Sequence, residues 1–361
     1  MDTRSVVWLA PVEDGRDIEG IKKNFGLLLR ESDFQQKMSL QKKEIIAIKM
    51  HFGAENTHGY IKPPVVKILV DQIKTRDSCP FLAETSDIYR GVRGNAVDYL
   101  GLASRHGFDS SGVGAPVIIV DGICGENSAK VEVNKKHFKE IEIAGGILKV
   151  AGLVSLAHFK GHELCGFAAT LKNIGMGLAS RLGKIQQHMN AKPYVVEEKC
   201  SFCQRCMQKC PVNAIKEHEK KSVIEQAVCM GCAECVAECP EGAIFFSPRE
   251  GILDFEEKLV EYAFGILKHL NKAYFINCAY TITKYCDCRQ IENPIVAPDI
   301  GILASADPLA LDKATNDLVL QRSKRDIWKE VHPNSDWERQ LEYANEIGLG
   351  RLDYVIKTVG G

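Results

Sequence analysis

Residues 200–211 read CSFCQRCMQKCP, and residues 229–240 read CMGCAECVAECP. Each half has the form C-x2-C-x2-C-x3-C-P, the second follows the first at an interval of 29 residues, and the flanking PVNAIK and PEGAIF also match. Two residues between thiols turn successive sulfurs inward around one cubane, while the fourth cysteine, held by its proline, points away to a partner cluster. The spacing therefore predicts two [4Fe-4S] clusters with crossed ligation. Cys200, Cys203, Cys206 and Cys239 would hold one, and Cys229, Cys232, Cys235 and Cys210 the other. A pair of zinc sites is the competing reading, but zinc takes four ligands at a time and ordinarily spaces two CxxC pairs apart. The chemistry implied is one-electron transfer.

Outward from this block the pattern changes. VVWLAP, EIIAIKMHF, PFLAETS, APVIIVDG and GLVSLAHFK are apolar, β-rich runs, and between them stand helical patterns such as IEGIKKNFGLLLRE, with Ile18, Ile21, Phe25 and Leu28 on one face. Nearly continuous apolar strands alternating with helices predict a mostly parallel sheet covered on both sides. The same alternation resumes after the cysteines. Residues 254–270 read as a helix opened by Asp254 and Glu257, KAYFINCAYTI and PDIGILAS as strands, Asp307-Pro308 as a cap with a first-turn proline, and Ser335 with Glu338 as a capping box. The fold class expected is α/β, interrupted by an inserted ferredoxin-like α+β domain: 1–193 and 248–361 form one discontinuous unit, and 194–247 the insertion.

Composition narrows the classes. Among 361 residues, 46 Lys plus Arg stand against 47 Asp plus Glu, so nothing suggests a nucleic-acid partner. The first residues, MDTRSVVWLAPVEDGRDIEG, lack a signal-peptide pattern, and no apolar run is long enough to span a bilayer. A cytoplasmic protein with no membrane partner is expected. In a reducing compartment, eight of 14 cysteines packed into 200–239 read as metal ligands rather than disulfides.

In open α/β sheets ligands bind beyond the carboxyl ends of the strands. Those ends carry His51, His58 and Lys62; Tyr89, Arg90 and Arg93; Asp121 and Asn127; His158, Lys160, His162, Lys172 and Asn173; and Cys286 with Cys288. His158 and His162 at i, i+4 suggest a metal pair, but Gly161 and a strand end lie between them, which favours a polar pocket-lining role. Cys286 and Cys288 read as a metal or redox pair, or as buried free thiols. The glycines of NIGMGLASRLGK fit neither a dinucleotide fingerprint nor a phosphate loop, since Ile185 follows Lys184.

Several strings, HFG and NTHGYIKP (51–63), GAPVIIVDG (114–122), HFKGHELCGFAATLKNIGMG (158–177), YCDC (285–288), DIGILASADPLALDKA (299–314) and WERQLEYANEIGLG (337–350), resemble a family catalogued as "domain of unknown function 362". Its members often carry a two-cluster ferredoxin module, and the resemblance implies an iron-sulfur protein. A remoter likeness to lactate-racemase-type α/β proteins is fold-level analogy and carries no catalytic residue. Three functions are then in view. The first is a ferredoxin-fed oxidoreductase reducing a small molecule, with His51, His162 or Lys160 supplying protons, Arg90 or Lys172 holding an anionic group, and an electron-donor protein as partner. The second is an electron-transfer module that docks a protein. The third is a metal-dependent non-redox enzyme with accessory clusters.

Overall fold

The computed structural model describes residues 4–88, 91–189, 192–231, 234–246, 249–288 and 293–360. Among them the central sheet has eight strands, in the spatial order Tyr354–Thr358, Ser5–Pro11, Gly301–Ser305, Ala273–Ala279, Gly152–His158, Ile45–Lys49, Cys79–Glu84 and Val117–Ile119. Gly301–Ser305 runs against both its neighbours, and every other pairing is parallel. The result is a mixed α/β architecture around a mostly parallel sheet.

Parallel neighbours need a crossover, and the helices supply it. Pro63–Lys74 links Ile45–Lys49 to Cys79–Glu84, and Ala96–Arg105 links the latter to Val117–Ile119. Asp17 caps the first helix, Ile18–Glu31, by accepting the Gly20 N–H at 3.0 Å, and that helix buries Ile21, Phe25, Leu28 and Leu29. Because strand side chains alternate, each strand feeds two cores. Ile46, Ile48, Val154, Leu156, Tyr274 and Ile276 pack with Phe25 and Leu69 on one face, while Ala47, Leu153 and Phe275 pack with Leu171, Leu259 and Trp328 on the other. Among the described residues no helix is long and apolar enough to cross a membrane.

Two expected helix starts are corrected. Arg249–Lys268 begins before Asp254, so Asp254 and Glu257 lie inside it, and Glu257 bonds Lys136 and Arg339 instead. Trp337–Glu346 follows Asp336, which makes no side-chain cap bond, while Ser335 Oγ donates to the His332 carbonyl at 2.8 Å. Glu257 is taken by distant partners, and Ser335 by a carbonyl three residues back, instead of by the caps. Asp307 does cap Pro308–Ser323, accepting from Leu309 N at 3.0 Å and Ala310 N at 2.9 Å.

Between Arg181–His188 and Arg249–Lys268 lies a small unit with its own core of Cys206, Cys210, Ala214, Ile215, Ile224, Cys235 and Ile244. It has short helices Arg205–Lys209 and Glu234–Glu238, a hairpin of Ile215–His218 with Lys221–Ile224, and Pro193–Val195 paired antiparallel with Ile244–Phe246. That last pairing sets Pro193 opposite Phe246, so the chain enters and leaves side by side.

The returning helix Arg249–Lys268 crosses Thr170–Gly175 at close range, and a Cβ on Gly175 would stand 2.2 Å from the Leu259 carbonyl oxygen. Gly175→Ala is therefore expected to cost about 1–3 kcal/mol by forcing the two helices apart. Urea unfolding followed by circular dichroism measures it; an unchanged midpoint would show that the contact yields.

Candidate functional site

Four adjacent parallel strands end on one edge of the sheet, at Lys49, Glu84, His158 and Ala279. The loops beyond them, with helices Thr170–Gly175 and Arg181–His188, enclose a cleft of about 770 Å³, mouth included. This is where an open α/β sheet offers a ligand site.

The short helix is seated by buried polar bonds. Asn173 Nδ2 donates to the Lys49 carbonyl and to Ser155 Oγ, both at 2.9 Å, and Lys49 Nζ donates to Asn173 Oδ1 at 3.2 Å. Thr170 Oγ1 donates to Asn277 Oδ1 at 2.9 Å, and Asp312 accepts the Thr170 and Leu171 N–H groups and the Asn277 amide. Gly177 lets the Lys49 side chain past, since a Cβ there would lie 2.6 Å from Nζ. The glycines that fit no nucleotide motif thus serve packing.

Cations dominate the cleft wall, and most are matched. Lys49 pairs with Glu84 at 2.8 Å, both almost fully buried; Arg93 pairs with Asp87 at 2.7 Å; Lys160 pairs with Asp287 at 3.2 Å. Burial pulls the Lys49 ammonium below its ordinary range and Glu84 offsets the pull. Burial alone would raise Asp287, yet His158 and Lys160 hold its carboxyl well below the usual carboxylate range. Lys172 Nζ lies 3.4 Å from Cys286 Sγ. Lys184 differs: it donates to neutral acceptors, Thr85 Oγ1 at 2.6 Å and the Ser86 carbonyl, with the charge of Asp121 within reach.

The histidines divide by what faces their nitrogens. His51 Nδ1 accepts the Gly53 N–H at 2.9 Å and its Nε2 meets Arg93 Nη1 at 2.9 Å, so donors surround the ring, and burial followed by the Arg93 charge holds its pKa well below the ordinary value. That environment keeps the His51 ring neutral. His158 has acceptors on both sides, Asp287 at 2.9 Å and the Tyr280 and Thr281 carbonyls at 3.1 and 3.2 Å, and is a brace beneath the cleft. His162 lines the cleft, takes the Leu164 N–H on Nδ1 at 3.2 Å and stacks on Phe255. His188 packs on the same Phe255.

Thus His51, Lys160, His162 and Lys172 come together in one cleft with Arg93, Cys286 and Cys288. Arg90 lies outside the described residues. His58 and Asn127 do not line the cleft. Sequence reading missed Lys49, Glu84, Lys184 and His188 as site residues. The available signal was a charge at the last position of an otherwise apolar strand, Lys49 in IIAIK and Glu84 in CPFLAE. Lys184 and His188, on a polar helix, gave none.

The repeat cysteines surround two further cavities. Cys200, Cys203, Cys206 and Cys239 line one of about 310 Å³; Cys210, Cys229 and Cys235 line the other, of about 300 Å³. Cys232 lies outside the described residues. The two fourth cysteines are equivalent: Cys210 Sγ accepts the Ala214 N–H at 3.1 Å and Cys239 Sγ the Ala243 N–H at 3.2 Å. Among the described residues no three of these thiols lie within 4.8 Å of one another.

Residues 46–317 match the family described as "Domain of unknown function (DUF362)". The chain belongs to that family. Among solved structures it is similar to the lactate racemase apoprotein from Thermoanaerobacterium thermosaccharolyticum, at 13% identity and a TM-score of 0.41, over 76% of this chain and 50% of the racemase. It is also similar to a protein from Thermotoga maritima, at 11% identity and a TM-score of 0.40, over 85% of this chain and 59% of that one. The chain thus spans about half the length of the first and under two thirds of the second. No curated protein matches it.

Two outcomes follow for this DUF362 member. Lys49→Met strands Glu84 without its cation and is expected to cost about 3–5 kcal/mol in urea unfolding, part of it recovered by adding Glu84→Gln. His188 is held near pKa 4 by burial, against the pull of its bond to the Lys184 carbonyl. The unfolded chain binds that proton near pH 6.5, so it carries more protons than the folded one between pH 6.5 and 4. Stability should fall as pH drops through that window, by roughly 3 kcal/mol at most, and His188→Asn should flatten this acid limb.

Proposed function

We propose that this chain is an iron-sulfur oxidoreductase: residues 194–247 form a ferredoxin-like module holding two [4Fe-4S] clusters, and the strand-end cleft takes a small anionic substrate. The observation that carries the reading is the crossing of the thiols. Cys239 of the second repeat joins Cys200, Cys203 and Cys206 of the first, while Cys210 of the first joins Cys229 and Cys235 of the second. Spacing alone led to that pairing, with Cys232 as the eighth ligand. Held there, the clusters would supply one-electron transfer at low potential.

The chain's own residues do the rest. Lys184, whose hydrogen bonds go to neutral groups, is the cation best placed to hold an anionic group of the substrate. Lys160 and His162 line the same cleft as proton carriers, and neutral His51 stands beside Arg93. The module is tethered close by: Pro193 lies five residues beyond His188 on the cleft wall, a reach of about 18 Å at most. A metal-dependent, non-redox reaction is less well supported. Among the described residues the one group of His, Asp, Glu or Cys side chains close enough to share an ion is His137, Asp254 and Glu257. Its Glu257 is already bonded to Lys136 and Arg339, and none of the three lines the cleft.

Protein prepared without oxygen is expected to contain about eight iron and eight sulfide per chain. Cys239→Ala should remove about half of both and leave the second cluster's paramagnetic signal. Zinc in place of iron would sink the proposal. Photoreduced protein should be reoxidised by a small anionic metabolite, with Lys184→Met raising the apparent KM at least about tenfold, or about 1.4 kcal/mol. Reoxidation by proteins alone, indifferent to Lys184, would favour the electron-transfer module instead.

A further inference from the structure

Cys286 and Cys288 stand two residues apart in a turn beyond Ala273–Ala279, and both line the cleft. Both are free thiols, they hydrogen-bond each other, and Lys172 Nζ donates to Cys286 Sγ at 3.4 Å. The turn that presents them is fixed from behind. Asp287, between them, is held by His158 at 2.9 Å and Lys160 at 3.2 Å, and Arg93 Nη2 donates to the Cys288 carbonyl at 2.8 Å.

Three uses compete for such a pair. A metal site is disfavoured because, among the described residues, no ligand group of three includes either sulfur, and the Lys172 ammonium repels a cation. An inert core thiol is disfavoured by contrast with Cys278: burial pushes that thiol up to about 12, whereas Cys286 lies well below the ordinary thiol range. The hydrogen bond from Cys288 is the main cause there; burial opposes it, and Lys172 and Lys160 assist. Cys288 is raised in turn because it keeps the shared proton. A thiolate with a thiol resolving partner beside it is the arrangement that reacts with disulfides.

We propose that Cys286 and Cys288 form a redox-active dithiol at the cleft, and that the substrate class it serves is a small anionic disulfide. The Cys286 thiolate attacks one substrate sulfur, breaking the substrate S–S bond and releasing one thiolate. Cys288 loses its proton and attacks Cys286 Sγ, forming the Cys286–Cys288 disulfide and releasing the second thiolate. The two electrons from the pair end on the two substrate sulfurs, and the Cys288 proton leaves with the product. Restoring the pair takes two electrons and one proton, which a dithiol such as dithiothreitol supplies in the test below. In the working protein the inference rests on the proposed function for that supply. Closing a ring across a single intervening residue makes a strained bond that is readily reduced again.

The test uses the full chain, reduced with dithiothreitol, freed of it without oxygen, and equilibrated in buffers of reduced and oxidised glutathione. After quenching with N-ethylmaleimide in denaturant, the tryptic peptide of residues 285–289, YCDCR, is weighed. It is expected to pass from doubly alkylated to unalkylated and two mass units lighter in one two-electron step. Cys286→Ser and Cys288→Ser should each abolish that step, and Lys172→Gln should move its midpoint to more reducing buffers, because the thiolate loses its counter-charge. A peptide that stays doubly alkylated in the most oxidising buffer overturns the proposal, as does a glutathione adduct on Cys286 that Cys288 never displaces. The readout needs no iron. A chain without iron that shows the step keeps the dithiol and loses the oxidoreductase; a chain with eight iron and no step does the reverse.

Discussion

The cleft depends on the seating of one short helix, Thr170–Gly175, above the ends of the central strands. Six residues cannot hold a helix in water by themselves. What holds this one is a buried polar seam made with three neighbouring strands, through Lys49, Ser155 and Asn277, and closed from above by Asp312. Buried polar groups that are fully bonded specify one arrangement, because any shift would leave donors or acceptors without partners. The register serves the seam: Lys49 stands directly opposite Ser155, and Asn277 opposite Ala157, two residues further along the same strand. Lys172 and Asn173 thereby face the cleft from a fixed position.

The second constraint is electrostatic. Gathering Lys49, Arg93, Lys160, Lys172 and Lys184 around one cavity would be prohibitive if each were left alone. Glu84, Asp87, Asp287 and Cys286 neutralise four of them within about hydrogen-bonding distance. Such pairs cost desolvation and add little net stability, so their use lies in orientation. Burial and the Arg93 charge lower the His51 pKa, the Cys288 hydrogen bond with help from Lys172 lowers that of Cys286, and Lys184 keeps neutral hydrogen-bond partners.

The cysteine unit and the cleft meet through helices rather than through the sheet. Arg181–His188 leads into the unit and Arg249–Lys268 leads out, and the two touch where His188 packs on Phe255. Phe255 in turn stacks on His162. Glu238, inside the unit, is buried beside Arg205 at 3.5 Å and Lys209 at 3.9 Å, so charges from both repeats meet there.

The sequence by itself determined what lies within a few residues of chain. Thiol spacing grouped Cys200, Cys203 and Cys206 at one cavity and Cys229 with Cys235 at another, apolar runs and helical periods marked the strands and helices of a mostly parallel sheet, and the residues just past strand ends supplied His51, Lys160 and His162. Local geometry dictates those features, because a short span of backbone has few conformations. Only the tertiary structure decided which charges meet: Lys49 with Glu84, Lys172 with Cys286 across 114 residues, and Glu257 with Arg339 rather than at a helix start. It also decided that Gly301–Ser305 runs against its neighbours. The reason is physical: electrostatic and packing energies depend on distance in space, and sequence fixes that distance only for near neighbours along the chain.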